Sequence, residues 1–368
     1  MISPAFKHVS FPCKIPSAVR VKTTGCLINF ELKDPKNIPS AKNVMCNNKA
    51  IVDVEWYKKP SYDPIFYFDE FTALLEILCK KRPIRDCDFL INFKDQVLIP
   101  KSLDLKLLPI LSNCTTDDHN DIPIITPDEI VQAFKVHSIS RNCVNPYENL
   151  PTYLWKDRVP TVIFRGSATG CGNDTTNNIR FAVAEIDAKW AKDDAYNANN
   201  TVDKTPFIDA GIVSWGTRRM KIARGTKQAN FPDIGNLTKN RGIKLKDYVS
   251  MEDQRKYKYA LYLEGNVMAY RLAYLFSTQS VVFYVESEYK PWFYDLLKDN
   301  QNCIFIKRDL SNLAKAIAWC KTHDKEAHKI ATNGYQMYKK FIGNKDYILD
   351  YMFNLTSNTV HSSSLGLK

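Results

Sequence analysis

Thr161–Arg180 reads TVIFRGSATGCGNDTTNNIR, and the fold of the second half of the chain turns on it. The run Thr161-Val162-Ile163-Phe164 is apolar and short, the mark of a buried strand. It breaks into Arg165-Gly166-Ser167, with Gly170 and Gly172 close behind. A helical pattern can start near Thr175 or Thr176 and run through Arg180 toward Trp190. A strand that ends in glycines and feeds a helix exposes backbone N–H groups at the helix N-terminus, a seat for phosphate. Arg165 and Arg180 would add positive charge and a bidentate fork. The same pattern also serves packing alone. Two phosphate fingerprints fail: no Gly-Lys-Ser/Thr follows the glycines, and their spacing does not match GxGxxG.

Outward from this stretch, the second half keeps a β/α rhythm. Strands are expected at 207–215, 257–263, 280–285 and 303–306, and helices at 176–190, 266–276, 291–297, 311–321 and 325–341. Such alternation predicts a parallel, doubly wound sheet. Several apolar runs end in a charged residue or a glycine: Phe164 into Arg165-Gly166, Leu263 into Glu264-Gly265, Val285 into Glu286, Ile306 into Lys307-Arg308-Asp309, and Phe93 into Lys94-Asp95. Parallel sheets bind ligands beyond the carboxyl ends of their strands. Strands must also end somewhere, and loops are polar.

The first half is less regular. Residues 1–60 are rich in Pro, Lys and Asn and read as irregular. A strand leading into an amphipathic helix is expected over 64–79, and short strands over 88–93 and 107–111. Asp121–Ile125 reads as an edge strand, because Pro123 cannot donate to a ladder. Thr126-Pro127-Asp128-Glu129 is a capping box with proline at the first helical position. The polar, loop-like stretch 138–158 marks a domain boundary, giving domains 1–155 and 156–368, with the last helices free to pack back on the first domain.

Length and composition fit two globular domains: 368 residues, 45% apolar and 25% charged. The formal net charge of +11 implies an anionic partner or simply a basic surface. The run 218–227 holds Arg218, Arg219, Lys221, Arg224 and Lys227, and reads as a solvated loop or a docking patch. Ten cysteines without CxxC spacing and six scattered histidines give no zinc signature. No signal peptide and no membrane-spanning run are visible, so a reducing, cytoplasmic setting is expected.

Three blocks resemble the capsule-associated glycosyltransferase family, which includes the Rumi-like protein O-glucosyltransferases and lipopolysaccharide-modifying enzymes. They are Phe164-Arg-Gly-Ser-Ala-Thr169 with Arg180; Lys256-Tyr-Lys-Tyr259 with Glu264-Gly265, Arg271 and Ser280-Val-Val-Phe283; and Trp292-Phe-Tyr294 with Asp309-Leu-Ser-Asn-Leu313. Ile91-Asn-Phe-Lys-Asp95 and Asp121-Ile-Pro-Ile-Ile-Thr-Pro127 are fainter echoes in the first half. Gly-Ser-Ala-Thr-Gly-Cys-Gly172 is similar to versions encoded by large DNA viruses. The resemblance implies a GT-B fold, with two Rossmann-like doubly wound domains facing a cleft. It implies a UDP-sugar donor in the second half, an acceptor hydroxyl on protein or glycan, and inverting transfer of glucose or xylose. Matched residue by residue, Asp95 is the general base, Ser167 and Thr169 contact the diphosphate, and Arg180 and Arg271 neutralise it. The donor set as a whole is Arg165, Gly166, Ser167, Thr169, Arg180, Gly265, Arg271 and Glu286. The gap from Thr169 to Arg180 is longer than the family's, and the first 70 residues match nothing in it.

The chemistry can be weighed on the residues themselves. A departing diphosphate needs positive charge, which arginines and a helix N-terminus supply without a metal. Arg271 reads either as this or as a solvent-facing helix arginine. Glu286 reads as a ribose ligand or a surface glutamate, and Asp95 as a base or a turn aspartate. No permanently bound cofactor, metal or nucleic-acid partner is expected. The rival readings are a basic nucleic-acid-binding protein, recognisable by salt-dependent binding, and a transferase relative that binds sugar nucleotide without turnover.

Overall fold

The computed structural model describes residues 18–24, 27–33, 44–45, 65–82, 88–92, 97, 100–102, 110–134, 152–193, 206–215, 220–221, 228–230 and 232–360. Asp95, the loop 138–151, Asn197–Asn200 and most of the basic run 218–227 lie outside them. The chain divides into two compact units. Unit 1 comprises Met1–Glu148, Lys290–Trp292 and Phe341–Lys368, and unit 2 comprises Asn149–Tyr289 and Phe293–Lys340.

Unit 1 holds a mixed sheet of six strands: β1 (Ala18–Thr24), β2 (Leu27–Lys33), β3 (Val44–Met45), β4 (Asp88–Asn92), β5 (Ile110–Ser112) and β6 (Ile122–Pro123), in the order β3-β2-β1-β4-β5-β6. β4, β5 and β6 run parallel, whereas β1 pairs antiparallel with both β2 and β4. The first 60 residues are therefore not all irregular. Their strands carry a period of two, Val19 and Val21 against Arg20 and Lys22, then Ile28, Phe30 and Leu32 against Asn29 and Glu31. β6 lies at the sheet edge, where Pro123 costs no ladder bond.

The stretch read as a strand leading into a helix is helix throughout, Ile65–Lys81. Phe71, Leu74, Leu75 and Leu78 recur at helical spacing and are buried with Ile91, Leu111 and Ile130. Ile348, Leu349 and Met352 of helix Lys345–Asn354 enter the same core. Helix Pro127–Phe134 begins as its capping box predicts: Glu129 N–H donates to Thr126 Oγ1 (3.4 Å) and Thr126 N–H to Glu129 Oε2 (2.8 Å).

Unit 2 holds β7 (Val159–Ser167), β8 (Ile208–Ser214), the short antiparallel pair β9 (Met220–Lys221) and β10 (Gln228–Asn230), β11 (Tyr257–Tyr262), β12 (Val281–Val285) and β13 (Ile304–Ile306). Its main sheet is wholly parallel, in the order β13-β12-β11-β7-β8. Strands buried on both faces read as continuous apolar runs, which is why this half was legible. Val162, Phe164, Leu261, Leu263, Phe283 and Val285 pack on one face with Leu313, Ile317, Ala327 and Ile330.

Three helices differ from expectation. Helix Ile179–Trp190 starts later, because the Asp174 carboxylate accepts from Thr176 N–H (2.7 Å) and Oγ1 (2.6 Å) and closes a turn there. Helix Arg271–Ser277 also starts later, after a loop in which Gly265 N–H donates to Val267 O and Ala269 N–H to the Tyr262 hydroxyl. The expected helix at 291–297 is a single 3-10 turn, Tyr294–Leu296.

Candidate active site

Chain order across the unit 2 sheet reverses between β7 and β11, since β8 follows β7 to one side and β12 and β13 follow β11 to the other. Loops at such a switch point part and leave a crevice beyond the strand ends. β7 ends there in Arg165-Gly166-Ser167, and β11 leads there into Glu264-Gly265.

Two guanidiniums meet in this place. Arg180 lies in the first turn of helix Ile179–Trp190 and is buried, at 5% exposure. Its Nε donates to Glu264 O and its Nη1 to Ser167 O, both at 2.8 Å. Arg271 opens its helix and donates through Nη1 to Arg165 O. Both cations lie over the Phe164 ring, Arg180 at 5.8 Å and Arg271 at 5.5 Å from its centroid. Among the described residues neither is ion-paired at contact distance with a carboxylate, although the Glu264 charge acts favourably on Arg180. Burial, and then the nearby Arg271, lower the Arg180 pKa to about 9. Burial also lowers Arg271. Both remain charged at neutral pH, so the site holds positive charge that an anion would compensate.

Another buried arginine shows a fuller set of bonds. Arg158, at the start of β7, places Nε and Nη2 on Tyr153 O and Nη1 on Thr278 O and Gln279 O. Its Nη1 also reaches Ser280 Oγ (3.5 Å), so all three of its nitrogens are engaged, mostly on backbone.

The glycines fit the same reading. A Cβ on Gly166 would lie 2.8 Å from the Phe164 ring tip and 3.2 Å from Arg180 Nη1. A Cβ on Gly265 would lie 3.2 Å from Arg180 Nη2 and 3.4 Å from Thr169 Oγ1. Gly166, Gly265, Thr169, Arg180 and Arg271 thus surround one spot, with the Ser167 carbonyl beside it. The loop between is pinned by Asn178, whose Nδ2 donates to Thr169 O (3.3 Å) and Gly172 O (3.1 Å) while its Oδ1 accepts from Arg180 N–H. Gly170 N–H donates to Asn266 Oδ1 at 3.3 Å.

Two members of the expected set sit differently. All five Arg165 donors are engaged internally: Nε on Asp247 O, Nη1 on Phe164 O and Asp209 O, and Nη2 on both Asp209 carboxylate oxygens. Glu286 is exposed, whereas Glu264, just past the end of the adjacent strand β11, is the buried carboxylate. Glu264 accepts from Ser287 Oγ and from Arg308 Nη2 (2.8 Å). Asn178, Asn266, Ser287 and Arg308 were missed. Glu264 and Arg308 carried a signal, since both sit where an apolar run turns charged.

The sequence pattern of glycosyl transferase family 90 matches residues 41–360. The chain belongs to this family. An uncharacterized protein, 035R, of Invertebrate iridescent virus 3 is 30% identical over 319 residues, covering 80% of this chain and 27% of that protein. Protein O-glucosyltransferase 2 of Danio rerio is 46% identical over 267 residues, covering 72% of this chain and 45% of the relative. This family 90 chain therefore spans about a quarter of the viral relative and under half of the fish one. The solved structure of Anabaena Alr3699/HepE in complex with UDP-glucose covers 69% of this chain and 57% of its own, at 10% identity and a TM-score of 0.32. Among the described residues no helix is long and apolar enough to cross a membrane.

Proposed function

We propose that this family 90 chain is an inverting glycosyltransferase that moves glucose or xylose from a UDP-sugar to an acceptor hydroxyl on protein or glycan. The observation that carries the reading is the pair at the switch point, buried Arg180 and half-buried Arg271, bonded only to backbone carbonyls. A UDP leaving group brings negative charge to such a place, and the charge grows as the glycosidic bond breaks. Cations fixed in advance stabilise that growth without reorganising. The two guanidiniums supply this charge, so the reading calls for no metal.

In the reaction the acceptor oxygen attacks the anomeric carbon, its proton passes to a carboxylate, and the bonding pair of the leaving oxygen stays with UDP. Asp95 is the proposed base, in a GT-B arrangement with residues 1–155 on the acceptor side and 156–368 on the donor side. Glu264, held by Ser287 and Arg308, is better placed than Glu286 to meet ribose hydroxyls from the buried ends of the strands. The fish relative's name supports transfer of glucose to protein.

The test is UDP release from UDP-glucose and UDP-xylose in the presence of folded protein and glycan acceptors. Asp95→Asn is expected to lose at least about a hundredfold in rate while still binding UDP. Full activity in Asp95→Asn would place the base elsewhere. Failure of the native chain to bind UDP would end the donor assignment.

A further inference from the structure

The Arg165 side chain lies in the motif that faces the site, yet all its donors are turned away from it. We propose that Arg165 is a positioning residue, the last link of an ionic chain Asp187–Lys246–Asp209–Arg165 that sets the backbone carbonyl on which Arg271 docks. The inference rests on the donor-site reading above and deepens it.

The chain is continuous. Lys246 Nζ lies 2.7 Å from Asp187 Oδ2 and 2.9 Å from Asp209 Oδ1. Asp187 also accepts from Ala210 N–H at 2.8 Å, which fixes helix Ile179–Trp190 to β8. Asp209 takes both its carboxylate oxygens to Arg165 Nη2, at 2.8 and 2.9 Å. Arg165 then holds Asp209 O and Asp247 O, so one planar fork joins β7, β8 and the segment after Lys246. Gly211 makes room for it: a Cβ there would lie 2.5 Å from Lys246 Cδ, so the lysine stem lies flat on β8. Burial works against the Asp209 carboxylate, but the hydrogen bonds from Arg165 and Lys246 outweigh it and hold its pKa below the usual range. Two carboxylates face two cations, so the charges balance within the network.

At the far end Arg271 Nη1 donates to Arg165 O. The residue whose guanidinium is locked into the network is the same residue whose carbonyl aims Arg271. A lysine at 165 keeps the charge but cannot reproduce five donors in one plane. The carbonyl would then be free to shift, and Arg271 with it.

The experiment is calorimetric titration of UDP into the full chain and into Arg165→Lys, Asp209→Asn, their double variant and Arg271→Met. Both single variants at the network are expected to bind UDP about tenfold more weakly. The double variant is expected to be no weaker than the weaker single, because both break one link. Were Arg165 instead a phosphate ligand, Asp209→Asn would release its fork toward the anion, and UDP would bind as tightly as before or tighter. That result overturns the proposal, as does native UDP affinity in a folded Arg165→Lys. If Arg165→Lys fails to fold, Asp209→Asn decides by the same sign. If the native chain does not bind UDP, the donor-site reading has failed and the proposal falls with it. If the native chain binds, Arg271→Met does not, and Asp209→Asn is unaffected, the proposal alone has failed.

Discussion

Gly166 shows how little room the site leaves. An added methyl would press on the Phe164 ring, which underlies both Arg180 and Arg271. Gly166→Ala is expected to cost about 1–3 kcal/mol of stability by overpacking and to weaken UDP binding as the ring moves. Urea denaturation and UDP titration check the two effects separately. A variant as stable and as tight as the native chain would mean that the ring does not order the cations. At this scale the sequence is ambiguous in an instructive way. Arg165 and Arg180 carry the same charge in the same motif, and both read as phosphate ligands. Alternation along β7 sends Arg165 to the face opposite Val162 and Phe164, toward Asp209, which is 44 residues away and unreadable as a partner from spacing. Arg180 reaches back from the helix to Ser167 O and Glu264 O, a meeting that only the fold creates.

Helix Pro127–Phe134 is held at its start by a carboxylate that the core does not welcome when charged. Burial raises the Glu129 pKa from 4.5 to about 7, against hydrogen bonds from Thr126 N–H and from Trp292 Nε1 at 2.8 Å. Between those two values the folded state holds a proton that the unfolded chain has lost. Its contribution is complete below pH 4.5 and fades as pH rises toward 7, on the order of 3 kcal/mol. Melting temperature against pH should therefore carry a falling component across pH 4.5–7, and Glu129→Gln should flatten it. The same slope in Glu129→Gln would assign it to other groups. At the other unit's helix, Asn178→Ala removes the cap and both loop bonds, and is expected to cost about 1 kcal/mol or more, read by chemical denaturation. The β7, β11 and β12 strands and the Thr126 capping box were legible because each rule acts within a few residues. The β1–β2 pair was hidden by overall polarity, although its alternation was there to see. The late starts at Ile179 and Arg271 depend on side chains closing local turns, which periodicity does not register.

The chain joins a mixed-sheet unit to one whose main sheet is wholly parallel, and family 90 membership covers parts of both. The blocks that resemble the Rumi-like glucosyltransferases lie within the family 90 pattern, which matches residues 41–360. The parallel sheet was readable from its apolar runs, whereas the order reversal between β7 and β11 was not, since pairing across a sheet leaves no mark in one sequence. That reversal singles out one crevice among several charged strand ends. The measurement that bears on it most directly is the calorimetric comparison of UDP with UMP, in the native chain and in Arg180→Met and Arg271→Met. The account predicts that the native chain prefers UDP by about tenfold or more, equivalent to roughly 1.4 kcal/mol. It predicts that each variant loses most of that preference while keeping its affinity for UMP. Folded variants that still favour UDP as strongly as the native chain would contradict it, because the second phosphate would then rest somewhere other than between these two arginines.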